Sequence, residues 1–368
     1  MLLMLEDALK VLKIITDSGY EAYIIGGFVR DYLLNIKSSD IDIATSATPK
    51  EIKEIFKDSS ISNDIYGSLY IVKNNIRYEI TTFRKEYDYK DNRHPSKIEY
   101  VSNIEEDIKR RDFTINTICI DKNGNVIDLI NGRKDLLNRL IRCVGNSSKK
   151  IEGDALRILR AVRFATILNF DLDKDLIDAI KKHKLLLKKI SYNRKKEELD
   201  KIFSSSNAKK GIKLLLDLEL DNELELYKLK DVNFYNDLIG IWYILDVEDK
   251  YPFTSNEKDL LNNISKVIDE DNTDPVILYK YGLYINVVAS ELKGNDSKIV
   301  NKLYTKLKIH TRSDLDIDTK DILTILNKKP GEYLSNIYKN IEEEVLYSKI
   351  KNNRKDIIKY LKKNFMGD

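Results

Sequence analysis

Asp40 and Asp42 stand two residues apart in Asp40-Ile41-Asp42-Ile43, so a strand here carries both carboxylates on one face. A pair of hard oxygen donors of this kind suits Mg²⁺, which also takes oxygens from a bound triphosphate. Just upstream, Ile24-Ile25-Gly26-Gly27-Phe28-Val29-Arg30-Asp31 reads as a strand, a tight glycine turn and a helix start. Gly26 and Gly27 let the backbone turn sharply and approach a ligand, and the amides of the turn and helix start can hold phosphate oxygens. The Asp-x-Asp spacing alone is weak evidence. Asp171-Leu172-Asp173 and Asp314-Leu315-Asp316 repeat it with no glycine turn before them.

Two further segments carry cations at chemically useful spacings. In Arg110-Arg111-Asp112-Phe113-Thr114-Ile115-Asn116 the two guanidiniums suit bidentate phosphate contacts. Asp112 and Asn116 are four apart, so a helix places them together, where they can meet ribose hydroxyls. Spacing alone favours a capped helix start with a surface Arg pair. In Glu152-Gly153-Asp154-Ala155-Leu156-Arg157-Ile158-Leu159-Arg160-Ala161-Val162-Arg163-Phe164, Ala155, Ile158, Leu159, Val162 and Ala165 form one apolar helix face. Arg157, Arg160 and Arg163 fall on the opposite arc, and Asp154 borders Arg157. Periodicity supports no more than a surface ion pair there, worth about 0.3 kcal/mol.

The glycine turn with Arg30-Asp31, the Asp40-Ile41-Asp42 pair and the Arg110–Asn116 string together resemble the signature of the class II tRNA nucleotidyltransferases and bacterial poly(A) polymerases. The resemblance implies that Asp40 and Asp42 hold two Mg²⁺ ions and that Gly26, Gly27 and Arg30 line the nucleotide site. It implies that Arg111 contacts phosphate, that Asp112 and Asn116 select a ribonucleotide, and that Asp154 and Arg157 pair with the incoming base, with Arg160 and Arg163 nearby. Glu79 is a candidate third carboxylate near the attacking oxygen. Gly153 departs from the pattern, which usually has Glu there, and Asn193 likewise replaces a Glu in the looser fifth segment from Ile190 to Lys201. Asp128 to Leu136 resembles a third motif and reads as a structural turn. Lys329-Pro330-Gly331 resembles a tail element that grips the tRNA elbow.

The implied activity is template-independent addition of CCA to a tRNA 3′ end from CTP and ATP, with release of pyrophosphate. A-only addition and poly(A) synthesis share these motifs. The polar stretch Arg84 to Pro95, read as a loop, resembles the flexible loop that enzymes adding only the two cytidines tend to lack. Readings from other classes are a non-catalytic tRNA-binding protein and a small-molecule adenylyltransferase. A P-loop enzyme is excluded, because no Gly-x-x-x-x-Gly-Lys-[Ser/Thr] occurs.

These residues need a sheet and a helical support to position them. Leu5, Ala8, Leu9, Leu12 and Ile15 mark a first helix, and Thr48-Pro49-Lys50-Glu51 is a capping-box helix start. Tyr70–Lys73 and Ile76–Thr82 read as strands around an Asn74-Asn75 turn, and Ile98–Val101 as another. From Lys149 onward the pattern is almost wholly helical. The expected fold class is α+β: a small nucleotidyltransferase-type head with a mixed sheet (1–140), then an all-α neck (141–205), body (206–275) and tail (276–368). Lysine-rich runs such as Lys181-Lys182 and Lys188-Lys189 read as solvated helix faces.

The net charge of +3 leaves binding of an acidic partner to local patches among 63 Lys and Arg. Cys119 and Cys143 supply no disulfide framework or zinc spacing, and His94, His183 and His310 are too scattered for a metal cluster. No apolar run approaches a membrane span, and the first ten residues are unlike a signal peptide. The expectation is a cytoplasmic protein whose partners are tRNA (3′ end, acceptor stem and elbow) and nucleoside triphosphates, with neither membrane nor DNA.

Overall fold

The computed structural model describes residues 2–38, 40–57, 61–63, 68–73, 76–89, 95–232 and 237–365. Ser39, the Asn74-Asn75 turn and residues 90–94 of the polar stretch lie outside them. The chain forms two compact units, 1–236 and 237–368.

The first unit opens with α1 (Leu2–Asp17), β1 (Ala22–Ile25), α2 (Gly27–Leu33), β2 (Ile41–Thr45) and α3 (Pro49–Ile55). Strands β3 (Ile61–Asn63), β4 (Ser68–Lys73), β5 (Ile76–Thr82), β6 (Arg84–Tyr89) and β7 (Pro95–Tyr100) follow, then α4 (Ile104–Arg110), β8 (Cys119–Ile120) and β9 (Val126–Ile127). Seven of these strands form one mixed sheet in the order β3-β4-β5-β2-β1-β8-β9. Only β2 and β5 run parallel within it, with Asp42 opposite Glu79.

Strand alternation divides the sheet's duties. Ile24, Ile41, Ile43, Tyr78, Ile80 and Ile71 are buried on one face, and α1, whose Ala8, Val11, Leu12 and Ile15 are also buried, packs against β1 and α3. The other face carries Ile25, Ala44 and Cys119, which join Ile104 and Ile108 of α4 in a second apolar cluster. Asp42 and Glu79 share that second face by register. Helix α3 starts as its sequence predicts. Thr48 accepts from the Glu51 amide, Glu51 returns a bond to Thr48, and Pro49 fills the first turn.

One expectation is corrected. The stretch from Lys85 to Pro95, read as a polar loop, is largely a hairpin: β6 and β7 pair antiparallel from Arg84↔Tyr100 to Tyr89↔Pro95. Polar side chains do not forbid a strand when its neighbour supplies the backbone partners.

The same unit continues with α5 (Gly132–Leu137), β10 (Leu140–Ile141), α6 (Ser147–Gly153), α7 (Leu156–Ile167), β11 (Asp171–Leu172), α8 (Lys174–His183), α9 (Tyr192–Phe203), α10 (Ala208–Asp217) and α11 (Asp221–Leu224). The Asp128 motif is a brace. Asp128 accepts from the amides of Gly132 and Arg133, and Asp135 accepts from Thr114 Oγ1 at 2.7 Å. Gly132 sits so close to Thr114 that an added Cβ would lie 2.3 Å from the Thr114 carbonyl oxygen. Lys181, Lys182, Lys188 and Lys189 are exposed, as expected of solvated faces.

The second unit is helical: α12 (Leu238–Leu245), α13 (Ser255–Ile268), α14 (Pro275–Leu292), α15 (Ser297–Tyr304), α16 (Thr319–Leu326), α17 (Tyr333–Leu346) and α18 (Arg354–Phe365). Trp242 packs against Tyr251 and Phe253. Ile322, Ile341, Val345, Ile357 and Leu361 centre its C-terminal core. Gly282, at φ +74°, interrupts α14. Among the described residues no helix is long and apolar enough to cross a membrane.

Candidate active site

The glycine turn is built for closeness. Gly26 adopts φ +84°, ψ −142°, a conformation side chains resist, and a Cβ there would stand 2.9 Å from Asp42 Oδ2. Asp42 therefore lies directly beneath the start of α2. Asp40 is exposed and immediately precedes β2 rather than sitting within it. Asp40, Asp42 and Glu79 nevertheless line one cleft of about 640 Å³, together with Tyr70, Arg77 and Lys201.

A second cleft of about 420 Å³ shares Gly27, Arg30, Asp42 and Arg160 with the first. It adds Gly26, Arg111, Asp112, Asn116, Asp154 and Arg157. Thus every candidate residue except Arg163 borders one of two adjoining clefts. Arg163 is buried, pairs with Glu198 at 3.0 Å, and lies over the Phe164 ring.

Charge is arranged unevenly between them. Burial pushes the Asp42 carboxyl up to about 6, and the nearby Glu79 and Asp40 add to the rise against the pull of Arg111 and Arg30. An all-oxygen set that is costly to ionise without a counter-charge fits a hard divalent cation. Among the described residues no three His, Cys, Asp or Glu could hold a metal by themselves. An ion here would complete its shell from water and phosphate oxygens, as Mg²⁺ commonly does.

The arginine side is saturated with partners. Burial works against ionisation of Asp112, but Arg160 and Asn116 outweigh it and hold the carboxyl well below the usual carboxylate range. Arg160 donates to Asp112 through Nε at 2.9 Å and also through Nη2. Asn116 Nδ2 donates to Asp112 at 3.1 Å, and Arg30 Nη1 donates to Asn116 at 2.8 Å. Fully buried Asp107 accepts from Arg110 at 2.8 Å and from Arg111 at 3.0 Å, and so orders both guanidiniums.

Helix α7 corrects a second expectation. The arc carrying Arg157, Arg160 and Arg163 is not a solvated face: Arg157 and Arg163 are each 8% exposed. Helix α7 packs against α9 and α10, while Arg157 and Arg160 line the cleft and Arg163 pairs with Glu198 of α9, so both sides are covered and amphipathic periodicity loses its meaning. Arg157 does not extend to Asp154 as a surface ion pair. It donates through Nη1 to the Lys150 carbonyl at 2.6 Å and through Nη2 to the Arg110 carbonyl at 3.3 Å. Asp154 Oδ1 accepts from the Leu156 amide at 3.1 Å.

Sequence reasoning gave no role to three residues here. Phe164 lines the smaller cleft, with Arg30, Arg160 and Arg163 over its ring at 5.1, 5.5 and 4.4 Å. Glu86, from the hairpin, also lines it and pairs with Arg84 at 2.7 Å. Lys150 is the third, its ammonium lowered to about 8 by burial and the neighbouring Arg157 charge. Its spacing, four before Asp154 and seven before Arg157, was the available signal.

Comparison with known proteins agrees along the chain. Residues 22–142 match the Poly A polymerase head domain, 169–224 the probable RNA and SrmB-binding site of polymerase A, and 249–361 a putative tRNA nucleotidyltransferase domain 2. The CCA-adding enzyme of Ligilactobacillus salivarius is 36% identical, with 97% of this chain and 96% of that one covered. The Staphylococcus haemolyticus CCA-adding enzyme is 34% identical, at 97% and 98% coverage. The fold is similar to the crystal structure of the Bacillus stearothermophilus CCA-adding enzyme in complex with CTP: TM-score 0.80, 27% identity, 97% and 96% covered. Identity above 30% sustained over nearly the whole of both chains identifies the lineage: the chain belongs to the class II CCA-adding enzyme family.

Proposed function

We propose that the protein is a tRNA nucleotidyltransferase that adds CCA to the tRNA 3′ end from CTP and ATP, without a nucleic-acid template. The observation that carries this is the junction of two clefts at Asp42 and Arg30, with carboxylates beyond one side and Asp154 and Arg157 beyond the other. The smaller cleft takes the incoming nucleotide and the larger one the RNA 3′ end.

Gly26 and Gly27 let the triphosphate approach α2, and Arg111, pre-aimed by Asp107, meets its phosphates. Asp112 and Asn116 face the ribose. Asp154 accepts from the exocyclic amine of cytosine or adenine while Arg157 donates to the ring nitrogen; uracil and guanine present the wrong pattern. Asp40 and Asp42 would hold two Mg²⁺ ions, with Glu79 beside them. When bound, that metal lowers the pKa of the attacking 3′-hydroxyl and stabilises charge on the leaving oxygens. The RNA 3′-hydroxyl attacks the α-phosphate in line, with Glu79 near the attacking oxygen. The reaction forms one phosphodiester bond and releases pyrophosphate.

We assign residues 1–140 to the catalytic head, 141–205 to the base-selecting neck, and 206–275 and 276–368 to a body and tail that hold tRNA, working in the cytoplasm. The hairpin of β6 and β7 favours full CCA addition over addition of cytidines alone. The test uses tRNA transcripts ending before CCA, or in C or CC, incubated with Mg²⁺ and CTP, ATP or both. Two additions with CTP and a third only with ATP support the reading. A long ladder with ATP alone means a poly(A) polymerase, and extension of only the CC-ended transcript means an A-adding enzyme.

A further inference from the structure

The carbonyls of a helix's last turn have no partners within the helix. At the end of α4, three in succession are met by two cations from the neck. Lys150 Nζ donates to the carbonyl of Lys109 and, at 2.8 Å, to that of Arg111. Arg157 Nη2 donates to the Arg110 carbonyl between them at 3.3 Å. The backbone of Lys150 makes a second junction. Its carbonyl accepts from the Asp154 amide at 3.1 Å and from Arg157 Nη1 at 2.6 Å.

One residue therefore grips both sides of the nucleotide cleft. Its main chain holds Asp154 and Arg157 together, and its ammonium fastens that pair to the backbone of the Arg110-Arg111 segment. We infer that Lys150 is a positioning residue that sets the separation between the base-reading pair and the phosphate-facing Arg111, and so helps decide which nucleotide is accepted. The inference rests on the roles proposed above for Asp154, Arg157 and Arg111. Without the ammonium, the Lys109 and Arg111 carbonyls lose their donor, α6 can slide on α4, and both base-reading groups move with the Lys150 carbonyl. Hydrogen-bond readout depends steeply on such placement.

The test measures kcat/KM for each of the four nucleoside triphosphates on a tRNA lacking CCA, for the full-length wild type, Lys150→Met, Lys150→Arg and Arg157→Ala. Lys150→Met, similar in length and apolar, is expected to lower the CTP-to-UTP ratio about tenfold or more, chiefly through kcat, with tRNA affinity unchanged. Lys150→Arg, which keeps the charge and several donors, is expected to restore most of the ratio. A lysine with only a structural role would lower the melting temperature and leave the ratio alone, and that result overturns the inference. Should Lys150→Met not fold, Lys150→Gln carries the test, and a wild-type ratio in that variant also overturns it. Arg157→Ala separates the two levels. If it keeps wild-type discrimination, the base-reading roles themselves fail; if it loses discrimination while Lys150→Met does not, only the role of Lys150 fails.

Discussion

The carboxylate end and the arginine end of the joined clefts handle buried charge in opposite ways. Asp42 is crowded by Glu79 and Asp40, and its ionised form is disfavoured. Asp107, Asp112 and Glu198 are each matched by one or more guanidiniums. The first arrangement is unfinished and gains from a cation. The second has its carboxylates paired with cations before any ligand arrives, so its geometry is preset. In the proposed reaction the first suits a site that binds metal and phosphate in each cycle, and the second one that reads a base edge without a template.

The sharpest way to break the contrast is to remove the unfinished charge. Asp42→Asn is expected to lower transfer by about 10³-fold or more, as loss of several kcal/mol of metal-assisted stabilisation requires, while tRNA binding persists in a filter assay. The same variant should be more stable than wild type when divalent ions are removed, by on the order of 3 kcal/mol at most. The sign follows from the raised carboxyl. Above about pH 6 the wild-type group is ionised in the folded state at a cost, so the gain is full there. It fades as pH falls toward about 4, where the group is protonated in both folded and unfolded chains. Thermal melts across that range check it.

Breaking the completed end should have the opposite effect on stability. Arg163→Met leaves Glu198 buried without its partner and is expected to cost about 3–5 kcal/mol, read from urea unfolding. Arg157→Ala should leave metal-dependent transfer in place but reduce discrimination against UTP and GTP about 10- to 100-fold, read by single-nucleotide incorporation. The smallest effect is on acid stability. Asp112 is held below its ordinary range, so its contribution is present above about pH 4 and is lost as pH falls below that. Asp112→Asn should flatten that acid limb by on the order of 2 kcal/mol.

Local chemistry was legible where a residue's neighbours in sequence are also its neighbours in space. The Gly26-Gly27 turn, the Thr48 capping box and the alternation that carries Asp42 and its strand are of this kind. Periodicity failed on α7, because it reports which face meets an apolar core and cannot see a second, polar surface closing over the other side. Composition failed on Arg84–Tyr89, read as part of a loop, since strand pairing depends on what the backbone finds opposite it. Asp40 shows a finer gap: its spacing from Asp42 was informative, yet the strand starts one residue later and Asp40 reaches the same cleft from outside it.

By itself the sequence determined which groups are at hand: oxygen donors beside a glycine turn, a cluster of guanidiniums, and Asp154 close ahead of the helix that bears Arg157. Only the tertiary structure decided how these are held. Glu79 stands against Asp42 because β2 and β5 pair in parallel across 37 residues of chain. Arg157 is anchored to carbonyls rather than to Asp154 because the ends of α4 and α6 both bring carbonyls within reach of its guanidinium. Those partners are distant in sequence, and backbone carbonyls carry no residue-specific signal, so spacing along the chain has no means of announcing them.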